Sequence, residues 1–598
     1  LCPTARKLSL SLSSLKSSMR PDDLLNFYRR DSRTEKLMRV LENNGSKTEI
    51  KGVVGSSLAL VAAGILERES ENKLDGSGEL RHHIFVLEDK EHAAYFMNDL
   101  EQILVVNPRP IFLFPRSARV PYQEEVTENA NVSMRAEVLN EINGGREGCI
   151  VVSYPGALSE KVITQKELSA QTFSLGLGDN FTLDFLDEVF LEYGFEKVDF
   201  VYEPGQYAMR GGIVDVFSFS FDHPYRIEFF GEEIESIRKF DPVSQLSVNK
   251  LTRATIVPNV GNKKLHKHNE AFFSFIPSKS VVWMTDVKSC ELGLKKELEK
   301  ATAHYERLVG ETKRTPPEDL YLDPEVFVGL INDFSVIEFG GGTTFSDRLT
   351  IEYGMTEQPV FNKHFDMIAT NLIANNRNGY VNIIVSGQAT QLERLHDIFS
   401  DRQDDNGEKS PDVPYTPIPM ELSEGFVDKE LKVLVYTDHQ LFDRYHRFRL
   451  KDGFRKSKEA LTIKEMMALE VGDFVVHIDH GIGEFSGLHK IEVNGKEQEA
   501  IRLSYKGGDV LYVSIHSLHR ISKFTSKEGT KPSVNKLGTA TWSKTKAKTK
   551  TRVKQIAYDL LHLYAKRKAS EGFAFTPDTY MQHELEASFM FEDTPDQN

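Results

Sequence analysis

The spacing of apolar residues changes character along this chain. In the first third, short apolar runs at 50–54, 84–87, 111–114 and 149–152 alternate with helix-period stretches at 56–68, 89–101 and 133–143. Runs of that length separated by helices predict a parallel sheet, because parallel neighbours need a crossover between them. A shorter version recurs later: a strand at 381–385, a helix at 388–399, a polar loop at 401–411 and a strand at 433–436 predict a second, small α/β unit. From 471 to 524 the pattern becomes β-rich. Gly472, Gly481, Gly483, Asn494-Gly495 and Gly507-Gly508 punctuate runs at 474–478, 500–505 and 510–513, which predicts tight hairpins and a small, strongly bent barrel. Beyond it, 541–568 reads as a basic helix. Its Val553, Ile556, Ala557, Leu560, Leu561 and Tyr564 form an apolar stripe that needs a partner.

The segment 204–242 stands apart from these. Ile213, Val214, Val216 and Phe217 form a short apolar strand behind Arg210-Gly211-Gly212, and 225–230 alternates polar and apolar residues as a half-buried strand does. Arg210, Arg226 and Glu228 are then expected on an exposed face beside Phe230. A basic spot with an aromatic neighbour suits an acidic protein surface, recognised through charge-assisted hydrogen bonds. A merely solvated sheet face has the same pattern.

Gly52-Val53-Val54-Gly55-Ser56-Ser57-Leu58-Ala59 lies where the first strand meets the first long helix. In a phosphate loop, backbone amides and the helix N-terminus cradle phosphate, while a Lys reaches the terminal phosphates and a hydroxyl holds magnesium. Here Leu58 takes the Lys position and Ala59 the Ser/Thr position, so Gly52, Gly55, Leu58 and Ala59 mark a degenerate, non-binding loop. Gly340-Gly341-Gly342-Thr343 has no following Lys and reads as a turn. His477, His480, His489, His516 and His519 have neither a companion Cys nor the spacing of a closed zinc site, so no metal is expected.

A length of 598 residues suggests about four domains, and 40% apolar residues suffices for ordinary cores. No apolar run approaches the ~18–20 residues needed to span a bilayer. Cys2, Cys149 and Cys290 are too scattered for a disulfide framework, which points to a reducing cytoplasm. The net charge of -15 argues against a uniformly basic nucleic-acid binder. The stretch 523–568, however, holds 13 Lys or Arg against Glu528 and Asp559, so phosphate contact is expected there. Residues 1–18, Ser-rich and basic, are expected to be a non-native or disordered leader, with Met19 as the natural start.

The segment 204–242 resembles the second domain of UvrB and, more closely, its counterpart in the bacterial transcription-repair coupling factors, a module that binds UvrA. The resemblance implies UvrA contacts at Arg210, Arg226 and Phe230: the arginine before the glycines, the arginine of the Pro-Tyr-Arg turn, and the second of two phenylalanines. GDFVVHIDHGIGEFSGL, followed by IRLSYKGGDVLYVSIHSLHRISKF, resembles the RNA polymerase-interacting domain shared by the coupling factors and CarD-type regulators. It implies an exposed strand that adds to a sheet of the polymerase β subunit, with Ile501 as the apolar contact. Phe591, Thr594 and Gln597 resemble the adenine-recognition motif at the start of the coupling factors' translocase motor, where the chain stops. UvrB keeps a working phosphate loop and a tyrosine-rich hairpin for checking damage; their lack here favours the coupling factors.

The fold so implied is multidomain, α/β and α+β. After the leader it comprises a UvrB-like parallel α/β domain (19–171 and 259–365) with an inserted UvrA-binding module (172–258), then a small flavodoxin-like α/β domain (371–450). A linker (451–468), a small SH3/Tudor-like β barrel (469–536), and a basic connecting helix with the start of the motor (537–598) follow. The implied function is transcription-coupled nucleotide excision repair, with the RNA polymerase β subunit and UvrA as partners and this chain as an adaptor without catalysis. Complete coupling factors are ATP-dependent double-stranded DNA translocases that use ATP and Mg2+; no cofactor is expected in the residues present, DNA contact falls mainly to the motor, and no membrane is involved. Two alternatives stay open: a CarD-like transcription regulator without a repair function, and a UvrB-like excinuclease subunit.

Overall fold

Seven parallel strands organise the first part of the chain. Their order across the sheet is Leu349–Glu352, Lys47–Lys51, Ser335–Glu338, Val281–Met284, His83–Val86, Ile150–Ser153 and Ile111–Leu113. Every pairing in it is parallel. The inner strands His83–Val86, Ile150–Ser153, Val281–Met284 and Ser335–Glu338 are buried at every residue, as strands with helices on both faces must be. The chain leaves this sheet after Ile150–Ser153 and rejoins it with the strands at 281 and 335, which lie in the expected second part of the domain (259–365) though they were not singled out there. The computed structural model describes residues 19–444 and 470–589, apart from 77, 106–108, 118–128, 221–222, 243–244, 261–267, 309–314, 343, 401–411, 478, 494–495, 515–520, 525–531, 574, 577–578 and 588.

Helix Ser57–Leu74 is buried over most of its length. Gly64 allows the close approach of helix Pro21–Arg29, since a Cβ there would sit 3.1 Å from the Tyr28 backbone. The small α/β unit has strand order Thr356–Glu357, Phe426–Asp428, Val433–Thr437, Val381–Ser386 and Thr416–Pro419, the last three parallel. It is not a separate body. Ile383, Val385, Met420, Leu422, Phe426, Val433 and Val435 belong to one apolar core with Tyr28, Leu58, Phe85 and Trp283 of the larger sheet. Arg33 pins the junction: buried, it donates to Asp428 at 2.9 Å, to Asp31 at 2.7 Å and to the Tyr353 carbonyl at 3.0 Å.

The inserted segment forms its own six-stranded sheet, ordered Ser247–Leu251, Glu233–Phe240, Tyr225–Phe230, Ile213–Val216, Gln206–Arg210 and Glu196–Lys197. Gly211, with φ +57, and Gly212 turn the chain between Arg210 and Ile213; a Cβ on Gly212 would meet the Phe229 carbonyl at 2.9 Å, so only glycine fits. Helix Leu183–Glu192 packs on one face, where Phe190 lies against Tyr207 and the Tyr207 hydroxyl donates to Asp187 at 2.8 Å.

The β-rich region is a five-stranded antiparallel sheet, ordered Val510–Ser514, Lys496–Ser504, Gly481–Val493, Phe474–His477 and Ile521–Lys523. A register shift between Phe485 and Leu488 marks its bend. Helix Thr541–Ala569 follows, and Val553, Ile556, Leu560, Leu561 and Tyr564 of the expected stripe are exposed. Among the described residues no helix is long and apolar enough to cross a membrane.

Candidate functional site

In the inserted sheet, the exposed basic face expected of Arg210, Arg226 and Glu228 does not exist. Arg226 is 3% exposed. Its Nε and Nη2 donate to the two carboxylate oxygens of Asp215 at 2.7 and 2.8 Å, and Nη1 and Nη2 donate to the Gln245 carbonyl and side-chain oxygens at 3.1 Å. The guanidinium also stacks over Phe240, 4.3 Å from the ring centre. Arg210 meets the same Asp215, donates to the Asp199 carbonyl at 2.7 Å and lies over Phe200. Asp215 is fully buried between the two arginines. Glu228 is engaged by Ser236 and Arg238. The two arginines are covered by the segments carrying Asp199, Phe200 and Gln245 and pair inward with Asp215, while Glu228 is half-exposed and is taken up by Ser236 and Arg238 of the neighbouring strand.

Phe230 differs from these two arginines. It sits beside Gly231 at the hairpin turn, opposite Glu233, and is 70% exposed. Of the three residues assigned to a partner by resemblance, it alone offers its side chain to one.

In the five-stranded sheet, Ile501 is 4% exposed and packs with Val475, Phe485, Leu503, Tyr505, Val513 and Ile521. At residues 500–504 its strand is hydrogen-bonded on both sides, to Gly481–Val493 and to Val510–Ser514. Neither the Ile501 side chain nor the strand edge at Ile501 is therefore at the surface, contrary to expectation. The end strands of the sheet are Val510–Ser514, where Tyr512 is exposed, and Ile521–Lys523. The Nδ1 of His477 accepts from the Asp479 and His480 amides at 3.1 and 3.3 Å, so this histidine shapes the turn. His516 and His519 lie outside the described residues, as do Phe591, Thr594 and Gln597.

The degenerate loop keeps a phosphate-loop position between strand and helix, with Gly52 at φ +70 and Gly55 at φ +53. Leu58 and Ala59 are buried in the shared core, so neither residue type nor placement offers charge to a polyphosphate. The sixth position, glycine in a working loop, is Ser57. Its hydroxyl reaches back across the turn, accepting from the Val54 amide at 2.9 Å and donating to the Val54 carbonyl at 2.6 Å. Gly52 is used for close packing instead: its carbonyl accepts from Met355, and a Cβ would lie 2.8 Å from the Gly354 nitrogen. These residues do not fit a nucleotide.

Cys149 and Cys290 are both buried. Burial pushes the Cys149 thiol up to about 11 and raises Cys290 well above its ordinary value. Neither supplies thiolate near neutral pH. Mass-resolved labelling with a disulfide reagent should leave both positions unmodified in the native chain and modify both in guanidinium; prompt native labelling of either would contradict this.

Two family models match the chain, the UvrB interaction domain over residues 173–261 and the CarD-like/TRCF RID domain over 469–525. The class so defined is a multidomain chain that joins a UvrB-type interaction sheet to a CarD-like sheet. Along most of its length the chain is similar to transcription-repair-coupling factors. It is 24% identical to that of Bacillus subtilis over 84% of this chain and 48% of the relative. The factor of Myxococcus xanthus is 28% identical over 86% and 49%, and that of Staphylococcus haemolyticus 25% identical over 80% and 47%. These matches bear out the resemblance read from the residues. The chain spans about half the length of the curated relatives it matches.

Sequence reasoning missed Asp215, Gln245, Ser57 and the 423–425 segment. Asp215 had a signal: a carboxylate inside the apolar run Ile213-Val214-Asp215-Val216 must find a cation on its own sheet. Gln245 had none, because its role depends on a loop folding back over the strand.

Proposed function

We propose that this chain serves transcription-coupled nucleotide excision repair as an adaptor, engaging RNA polymerase through the β subunit with the sheet at 474–523 and recruiting UvrA with the inserted sheet at 196–251. The observation that carries the reading is that both matched domains stand in one chain. A CarD-like regulator has no use for the first, and a UvrB-like subunit has none for the second. The parallel strands of the small α/β unit support a flavodoxin-like reading of it, and the bent antiparallel sheet supports an SH3/Tudor-like one. The chain would work in the cytoplasm, where both partners are. In the complete protein, ATP-driven translocation on double-stranded DNA would displace the polymerase, with ATP and Mg2+ bound by residues beyond those present; the basic helix Thr541–Ala569 is suited to additional phosphate contacts.

The test is to immobilise the chain and add purified UvrA and the polymerase β subunit, separately and together. Binding of each, and of both at once, is expected. Polymerase binding by a folded chain that ignores UvrA would instead make it a CarD-like regulator.

Phe230 is the residue to probe at the UvrA surface. Phe230→Ala should weaken UvrA binding by about 2 kcal/mol, roughly thirtyfold, if it is a central aromatic anchor. Because the ring is exposed, the melting temperature should hardly move. Unchanged affinity by calorimetry would remove Phe230 from the interface.

A further inference from the structure

The loop at 52–57 does not stand open. The Ser56 amide, one of the donors that would face a phosphate oxygen in a working loop, donates instead to the Glu424 carbonyl at 3.2 Å. The Glu424 amide returns a bond to the Ser56 hydroxyl at 3.0 Å, and the Ser423 hydroxyl lies 3.1 Å from that of Ser56. Around Gly55 there is no spare room: a Cβ would lie 2.9 Å from the Glu424 Cβ and 3.2 Å from the Gly425 carbonyl. The 423–425 turn is held from behind as well. Asp99, on helix Lys90–Ile103, accepts from the Ser423 amide at 2.8 Å and its hydroxyl at 2.6 Å, and the Gln440 side-chain oxygen accepts from the Gly425 amide at 2.7 Å.

We propose that the former phosphate cradle is now a peptide-binding socket, whose ligand is the chain's own Ser423-Glu424-Gly425 turn. The chemistry of a cradle explains the conversion. An outward-facing amide at a helix N-terminus donates to any oxygen with a lone pair, and a main-chain carbonyl presents one without needing a lysine or a metal ion to balance charge. Ser57 takes the Val54 amide and the turn takes the Ser56 amide, so two donors of the loop are already satisfied. A phosphate placed there would meet the Glu424 carbonyl, which repels it. The socket fastens the small α/β unit to the larger sheet at the point where an ancestral nucleotide would have sat, and restoring the two lost residue types cannot by itself reopen it.

Two measurements on the whole chain test this. In hydrogen exchange read by mass spectrometry, the 53–57 peptide should exchange slowly, and Asp99→Ala should speed it on the order of tenfold while leaving helix Phe365–Arg377 unchanged. Fast exchange at 53–57 in the parent, or no change in the variant, overturns the socket. The second is titration of the double variant Leu58→Lys, Ala59→Thr with a fluorescent ATP analogue and Mg2+. No saturable binding is expected; micromolar binding by this variant would mean the cradle is open and the proposal wrong. Should the buried lysine prevent folding, the exchange measurement decides alone.

Discussion

Arg226→Ala is expected to destabilise the inserted sheet by about 3 kcal/mol, the cost of breaking a buried ion pair by removing one partner. The value falls at the low end of that range because Arg210 remains to face Asp215. Four hydrogen bonds disappear, to Asp215 and to Gln245, and with them the tie that holds the Gln245 loop over the sheet. Arg226→Lys should recover only part of the loss, since an ammonium cannot reproduce the fork that reaches both carboxylate oxygens. The readout is amide protection of Gln206–Arg210 and Ile213–Val216, which should fall in Arg226→Ala and stay intact in Phe230→Ala. Any loss of UvrA binding by Arg226→Ala then follows from loosening of the sheet. Parent-like protection together with abolished UvrA binding would place Arg226 at the interface after all.

Ile501→Ala carries the second large effect. Truncating a buried isoleucine costs about 2–5 kcal/mol, and the five-stranded sheet has a small core in which Ile501 is a central member. A domain of that size has little reserve, so much of its population should unfold. Protection of Phe474–His477 and Lys496–Ser504 should collapse, and polymerase β binding should decline in parallel with it. Tyr512→Ala, on an end strand with its ring exposed, is the control that keeps the fold. Full protection in Ile501→Ala with binding lost would mean that Ile501 reaches the polymerase.

These two residues also mark where the sequence stopped being readable. The parallel sheet, the small α/β unit and the β-rich region declared themselves through apolar periodicity, since local spacing records which faces are buried, whereas the inserted module was legible through its resemblance to the second domain of UvrB. Arg226 was misplaced because polarity stood in for exposure. An arginine opposite a solvent-facing glutamate and an arginine opposite a buried aspartate look alike until the Gln245 loop is seen to close over them. Ile501 came from the resemblance alone, and its burial was not legible, because its strand looks like its neighbours in sequence and only the sheet order reveals that it is interior. The degenerate loop was correctly placed as a strand-to-helix turn. Its occupant was invisible, because Ser423 to Gly425 lie hundreds of residues away in a stretch without periodicity. Strands Val281–Met284 and Ser335–Glu338 were not singled out, although the first is a wholly apolar run; only their partners in the sheet were beyond local reading, since those precede the insertion or lie across it.

The core that runs without a break from Phe85 and Trp283 into Ile383, Val435 and Phe426 has a thermodynamic consequence. Two sheets that share side chains cannot melt separately, because unfolding either exposes apolar surface of the other and strips the Arg33–Asp428 pair of one member. Cooperativity therefore joins what topology divides. Residues 47–86, 281–352 and 381–437, far apart along the chain, constitute a single unfolding unit, and the smaller sheet cut out alone would lose the surface that keeps it folded.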